Sequence, residues 1–195
     1  RCAASLWRAP CGGSSMSPNP SEPRQRLFFA LWPDAAVRSG LAQTSQELLG
    51  KKIKRVPEAN LHITLAFAGA VTAAVRECLE QQAAGIRAAP FELTLARIGH
   101  WPRPRILWAG PEHTPAELWS LVGGLNNAFE ACGLAHETRP WQAHVTLARK
   151  ISRAPQAAVI EPIHWSISDF CLVESVTGAP GASYRVLASW TLEGE

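Results

Sequence analysis

The stretch LHITLAF at residues 61–67 alternates between two kinds of side chain, which predicts a β-strand with two different faces. Its central word, HITL at residues 62–65, recurs as HVTL at residues 144–147. Both copies have the order His, β-branched residue, Thr, Leu. The chain contains only 6 histidines, and two of them stand in this shared context. The repeat therefore indicates two similar structural units.

Each copy places its His and its Thr on the same side of the strand. Side chains alternate between faces along a strand, so His62 and Thr64 share one face while Ile63 and Leu65 point to the other. The second copy repeats this arrangement. If a local two-fold axis relates the two units, the apolar faces pack on helices and the His/Thr faces line one cleft.

Two imidazoles on one cleft suit the hydrolysis of a phosphodiester. Near neutral pH, one imidazole can accept a proton from water while the other donates a proton to the leaving oxygen. The hydroxyls of Thr64 and Thr146 can donate to non-bridging phosphate oxygens. A single His in a strand is usually structural, but that alternative does not explain the recurrent Thr. We therefore predict His62 and His144 as catalytic residues, with no cofactor and no metal.

The rest of the pattern predicts an α+β fold with two pseudo-symmetric lobes of antiparallel sheet, each backed by helices, around a central active-site cleft. Thr72 and Thr114 are predicted helix N-caps, and Gly69 is predicted to end the first His strand. The predicted strands span 26–32, 61–67, 91–98, 105–109, 141–148, 163–174 and 183–192, with helices at 34–49, 72–84 and 115–132.

Length and composition favour a single globular domain at residues 25–195. The chain has 195 residues, 47% of them hydrophobic, and a net charge of +3, which permits an anionic substrate without demanding a nucleic acid. Residues 1–24 are rich in Pro, Gly and Ser, and we predict that they form a disordered N-terminal extension. Met16 is the only methionine and is interpreted as the natural start.

The five cysteines are odd in number and have no C-x-x-C spacing. This pattern favours free thiols in a reducing compartment over a disulfide scaffold or a zinc site. No apolar run approaches the ~20 residues of a membrane helix. We therefore expect a cytoplasmic protein without membrane association.

At the two words and their flanks, the sequence resembles the two-histidine phosphoesterases, which carry paired H-x-T-x motifs. Within them it is similar to the bacterial RNA 2′,3′-cyclic phosphodiesterase (LigT-like) family. The supporting segments are RLFFALWP at 26–33, NLHITLAF at 60–67, WPRPRILW at 101–108, RPW at 139–141 and HVTLAR at 144–149.

The resemblance implies hydrolysis of 2′,3′-cyclic phosphate on RNA termini to a 2′-phosphate, with reversible 2′–5′ RNA ligation. It implies that His62 is the proton donor to the leaving 3′ oxygen, that His144 is the proton acceptor, and that Thr64 and Thr146 hold the phosphate. Arg149 matches a phosphate-binding position, but strand parity places it on the opposite face unless the strand bulges. The expected partner is RNA with a 2′,3′-cyclic end, bound by a monomer that has no obligate protein partner.

Some alternatives remain open at the level of sequence. Trp141, just before the second His strand, could stack on a base or belong to the core. The substrate could instead be a small cyclic or 2′–5′ nucleotide, because the cleft chemistry would be the same. The chain could also be a non-catalytic RNA-binding protein, although a net charge of +3 is weak for binding by charge alone. A His-ligated metallohydrolase is disfavoured, since neither word contains an acidic residue.

Overall fold

The structure, a computed structural model, describes residues 22–49, 53–135, 137, 139–153, 159–178 and 181–194. Residues 1–21 lie outside the described residues, and so does almost all of the predicted N-terminal extension, including Met16. The single domain predicted for residues 25–195 remains a prediction.

Within the described residues, eight strands and three α-helices follow one another along the chain. The strands are β1 (Gln25–Leu31), β2 (Ile63–Val71), β3 (Phe91–Trp101), β4 (Ile106–Pro111), β5 (Val145–Arg149), β6 (Val159–Ile167), β7 (Asp169–Gly178) and β8 (Gly181–Thr191). The helices are α1 (Ala35–Leu49), α2 (Ala73–Ala84) and α3 (Ala116–Ala131), and a single 3₁₀ turn covers Glu58–Asn60.

The strands form one open antiparallel sheet in the order β6-β3-β4-β5-β2-β1-β7-β8. The two His strands, β2 and β5, are neighbours at its centre, with three further strands on either side. They are joined by a single ladder pair, Ile63 with Val145. The predicted α+β class with two similar antiparallel halves is therefore confirmed.

The helices supply the core on one face of the sheet. Alternate residues of β1 and of the two His strands point into this core, together with Leu41 of α1, Leu79 of α2 and Leu125 of α3. The opposite face carries a smaller apolar cluster of Phe28, Ala30, Cys171 and Val173, with Trp32 and Tyr184 packed against it. The His/Thr positions lie on this second face.

Local details differ from the sequence predictions at several element ends. β2 continues past Gly69, which adopts a φ of 75° where the pairing with β1 shifts register. A glycine in this left-handed conformation forms a bulge and bends the strand, so it does not end it here. The residue capping α3 is Pro115 and not Thr114, and its cap makes no side-chain hydrogen bond.

Two further strands were predicted with wrong limits. The predicted strand at 163–174 is broken at Ser168 into β6 and β7. The second His strand begins only at Val145, so residues 141–144 enter it as irregular backbone.

The prediction of free thiols is wrong for two of the five cysteines. Cys78 in α2 and Cys132 at the end of α3 form a disulfide across a sequence separation of 54 residues. The signal was absent from the sequence because the two sulfurs approach only when the two helices pack together. Cys171 is a buried free thiol. No helix within the described parts of the chain has the length and apolar content to cross a bilayer.

Candidate active site

The two His/Thr words meet because β2 and β5 pair at their N-terminal ends. In an antiparallel ladder centred on Ile63 and Val145, His62 faces Thr146 and Thr64 faces His144. The two histidines are then diagonal neighbours, and such positions are about 7–8 Å apart. This separation leaves room for one phosphate between the rings.

Both words line one cavity of about 620 Å³ on the face of the sheet that carries the smaller apolar cluster. The four side chains His62, Thr64, His144 and Thr146 all contribute to its wall, as the sequence predicted. The other lining residues are Lys54, Arg55, Val56, Pro57, Asn60, Ile106, Arg149, Lys150, Ser183 and Tyr184. Neither Thr hydroxyl has a hydrogen-bond partner within the described residues, which leaves both hydroxyls available to a ligand.

Each imidazole is held by the same backbone contact. Nδ1 of His62 donates to the carbonyl oxygen of Asn60, and Nδ1 of His144 donates to the carbonyl oxygen of Gln142, both at 2.8 Å. A carbonyl oxygen only accepts, so the proton of each neutral ring resides on Nδ1. Nε2 of each ring is therefore the atom that accepts or delivers a proton in the cavity.

The two rings differ in their aromatic surroundings. His62 is stacked on Trp32 at 5.3 Å between centroids and is also contacted by Phe28 at 4.9 Å and Tyr184 at 5.1 Å. The ring of His144 lies edge-on to Trp101 at 4.6 Å. His62 is thus enclosed by three aromatic rings, and its charged form is less well solvated there than in water.

Burial lowers the pKa of both imidazoles. Desolvation lowers the pKa of His62 to about 4, against the hydrogen bond to Asn60, and the charges of His144 and Arg149 lower it further. The pKa of His144 is also lowered, first by desolvation and then by Arg149, against the hydrogen bond to Gln142. With no anion in the cavity, both rings are neutral at pH 7.

The lowered pKa of His62 makes folding sensitive to acid. Between pH 6.5 and about 4 the unfolded chain binds a proton at this residue that the folded chain does not, so stability falls as the pH falls. The effect amounts to about 2–3 kcal/mol of unfolding free energy. We expect His62→Gln to reduce the loss of stability between pH 7 and pH 4 by this amount, as measured by urea denaturation. An unchanged loss would contradict the assigned environment.

Arg149 reaches the cavity through a β-bulge. β4 pairs Trp108 with Thr146 and Leu107 with Ala148, so Leu147 is an extra residue on β5. The bulge reverses strand parity, and Arg149 therefore lines the same cavity as Thr146. Arg149 thus reaches the cleft through a bulge, as strand parity required.

The structure does not bring Trp141 into the cavity. Its indole Nε1 donates to the backbone carbonyl of Thr64 at 3.1 Å, and its ring packs edge-on against Trp119 of α3 at 5.4 Å. Trp141 is thus partly buried against the helix-side core and ties the segment before β5 to β2. Its position fits the core interpretation and not the stacking of a base.

Sequence reasoning missed several residues of the site. Asn60 and Gln142 hold the rings through backbone carbonyls, which every residue possesses and no motif reveals. One signal was present, because the repeat extends two residues earlier as Asn60-Leu61 and Gln142-Ala143, an amide followed by an apolar residue. The described residues contain no group of three His, Cys, Asp or Glu side chains that could hold a metal ion.

Comparison with known proteins identifies the family. A family model described as the 2′-5′ RNA ligase superfamily matches residues 32–179. The chain belongs to this superfamily. This membership confirms the resemblance to the two-histidine phosphoesterases. The matched range includes both His/Thr words.

Individual members of the superfamily match over nearly their whole length. The RNA 2′,3′-cyclic phosphodiesterase of Escherichia coli is 34% identical over 177 residues, covering 88% of this chain and 98% of the relative. The protein of the same name from Thermus thermophilus is 31% identical over 186 residues, covering 87% and 91%. The crystal structure of E. coli LigT in its apo form has a TM-score of 0.81 at 31% identity and covers 88% of this chain and 99% of that one.

Proposed function

We propose that this chain is an RNA 2′,3′-cyclic phosphodiesterase that hydrolyses the terminal cyclic phosphate to a 2′-phosphate. The observation that carries the proposal is the convergence of two imidazoles and two Thr hydroxyls on one cavity that also contains Arg149. The relatives that bear this activity in their names match 88% and 87% of this chain.

The proposed reaction is an acid–base displacement at phosphorus. His144 takes a proton from water through Nε2, and the water oxygen attacks the phosphorus of the cyclic ester. The bond from phosphorus to the 3′ oxygen breaks, and His62 delivers a proton from Nε2 to this leaving oxygen. Thr64 and Thr146 donate to the non-bridging oxygens. The products are a 2′-phosphate and a free 3′-hydroxyl.

The same groups serve a ligation reaction in which another nucleophile replaces water. If a 5′-hydroxyl of a second RNA takes the place of water, attack on the same phosphorus yields a 2′–5′ linkage. His144 again accepts the nucleophile's proton and His62 again protonates the 3′ oxygen. The balance between the two reactions then depends on which nucleophile occupies the water position.

The division of roles between the histidines rests on the family resemblance, and the low pKa of His62 bears on it. The aromatic enclosure opposes a proton on His62 while the cavity is empty. A bound phosphate places a negative charge beside both rings and favours their protonated forms. A bound phosphate that raises the pKa of His62 from its value in the empty cavity makes the protonated ring available as a donor. The assignment of His62 as the donor rests on the resemblance and requires this rise in its pKa.

The pH dependence follows from these two pKa values. Because kcat/KM reports the free enzyme, we expect a bell whose optimum lies between about 4 and the ordinary imidazole value of about 6.5. The kcat profile reports the complex, in which the substrate anion raises both pKa values, so its optimum should lie at higher pH. Steady-state kinetics from pH 4 to 9 measures both profiles. A kcat/KM that stays flat or rises between pH 6 and 9 would contradict the assignment.

Arg149 should contribute both binding and electrostatics. The substitution Arg149→Met removes a charged hydrogen-bond donor to the phosphate and should lower kcat/KM about 10–100-fold. The same change should raise the pKa of both histidines, since the charge of Arg149 lowers them. Arg149→Lys, which retains the charge, should restore the pKa values more fully than the activity. NMR titration of the imidazoles measures both pKa values. If neither pKa changed in Arg149→Met, Arg149 would not lie beside the histidines.

The proposed function is tested by turnover of an oligoribonucleotide with a terminal 2′,3′-cyclic phosphate. We expect hydrolysis in the presence of EDTA, with a 2′-phosphate product identified by ³¹P NMR. Turnover of small cyclic nucleotides alone would favour the small-nucleotide alternative. Binding of the RNA without any turnover would favour a non-catalytic RNA-binding protein and overturn the proposal.

A further inference from the structure

Positive charge is concentrated along the wall of the catalytic cavity. Lys54, Arg55, Arg149 and Lys150 all line it, whereas no carboxylate does so within the described part of the chain. A terminal cyclic phosphate carries a single negative charge, and Arg149 lies beside the two histidines that bracket it. Lys54 and Lys150 lie on the wall in addition to Arg149, so the wall fits a ligand with a second anionic group.

The backbone at the end of β5 turns a second cation toward the cavity. In a regular strand, a residue after Arg149 would point to the opposite face of the sheet. Lys150 instead has a φ of 64°, a left-handed conformation that a lysine seldom adopts. The hydrogen bond from Ile151 N to Arg105 O at 3.0 Å fixes the chain just beyond it. Local strain of this kind is characteristic of functional sites, and here two consecutive cations share one wall.

The segment that leads to the first His word adds a cation on the same side. Arg55 forms a β-bridge with Ala148, and Val56 N donates to Leu147 O at 2.8 Å. These contacts dock the segment along the C-terminal half of β5. Lys54 is consequently placed at the cavity rim near the strand end that carries Lys150, and both lysine side chains are solvent-exposed.

We propose that Lys54 and Lys150 bind the phosphodiester that joins the terminal nucleotide of the substrate to the nucleotide before it. This inference rests on the proposed function, since it places the terminal cyclic phosphate between His62 and His144. The next anion along an RNA chain is one nucleoside away, on the 5′ side of the same ribose. Two lysines on long, flexible stems suit such a phosphodiester because they act as adaptable point charges. The site thereby selects RNA chain ends over free cyclic nucleotides.

The test compares two substrates that share the reacting group. One is a tetraribonucleotide with a terminal 2′,3′-cyclic phosphate, and the other is the 2′,3′-cyclic monophosphate of its last nucleoside. For the Lys54→Gln/Lys150→Gln double variant, we expect kcat/KM to fall at least tenfold on the tetranucleotide. The fold-loss of kcat/KM on the mononucleotide should be at least five times smaller. The slope of log KM against log salt for the tetranucleotide should decrease by about 0.7, because one phosphate is no longer neutralised.

The matched control removes the same charge elsewhere on the surface. Arg87 and Arg97 are exposed and do not line the cavity, so Arg87→Gln/Arg97→Gln should leave both kcat/KM values within twofold. Each lysine is also replaced singly, so that misfolding of the double variant does not decide the result.

The outcomes separate this inference from the proposed function. Equal losses on the two substrates, or no loss on the tetranucleotide, would overturn the lysine subsite while leaving the phosphodiesterase intact. A wild-type protein that hydrolyses neither substrate would overturn the proposed function and the inference together. A preference of the wild type for the tetranucleotide that disappears in the lysine variant supports the inference.

Discussion

Replacing either imidazole should nearly abolish turnover. Each ring transfers one proton in the proposed reaction, and general acid–base catalysis by a positioned side chain contributes about 10²–10⁴-fold. We therefore expect His144→Ala and His62→Gln each to lower kcat on a cyclic-phosphate RNA end by this factor. Rapid-quench or steady-state assays at the pH optimum measure the loss.

The double variant and a control sharpen this expectation. Because the two rings act on one reaction step, His62→Gln/His144→Ala should be only slightly slower than the slower single variant. His113 is exposed and outside the cavity, so His113→Ala should retain full kcat. A loss of less than tenfold in both single variants would mean that the imidazoles do not move protons in the rate-limiting step.

The two Thr hydroxyls should matter to similar extents, because they occupy equivalent positions in the two words. Preorganised donors to a charged transition state each contribute about 10²–10³-fold in rate, and an exposed cavity reduces this value. We expect Thr64→Val and Thr146→Val each to lower kcat/KM by about 10–10²-fold. Since both hydroxyls act on the same phosphate, the loss in the double variant should depart from the product of the two single losses.

Stability measurements separate a contact with the phosphate from a structural role. Valine preserves the shape of threonine, and both residues are only half-buried, so the unfolding free energy should change by about 1 kcal/mol or less. Thr94→Val removes a hydroxyl outside the cavity and should leave kcat/KM unchanged. If Thr64→Val unfolded the protein and spared its specific activity, the proposed contact with phosphate would be wrong.

The sequence could predict the centre of the fold because the information there is local and repeated. The alternation in LHITLAF separates a face for the core from a face for chemistry, and its recurrence indicates a second, matching strand. Pairing of Ile63 with Val145 then follows from the pseudo-symmetry, since it lets both apolar faces join one core. The predicted α+β class and the convergence of the two words depend only on these features.

Other parts of the site could not be predicted because they depend on backbone contacts between distant segments. Strand parity placed Arg149 on the wrong face unless a bulge intervened, and the bulge at Leu147 is set by the pairing with β4. Lys150 enters the cavity through a left-handed φ that its residue type does not favour. The bond between Cys78 and Cys132 likewise depends on how two helices pack.

The central claim, that both His/Thr sets act on one phosphorus atom, is tested most directly by a crystal structure with the reaction product. The ligand is an oligoribonucleotide ending in a 2′-phosphate, bound to the wild-type protein. The account predicts one phosphate group whose oxygens, or the released 3′-hydroxyl, lie about 2.6–3.2 Å from Nε2 of both His62 and His144. A phosphate that contacts only one of the two rings, or that binds outside the cavity lined by both His/Thr words, would contradict it.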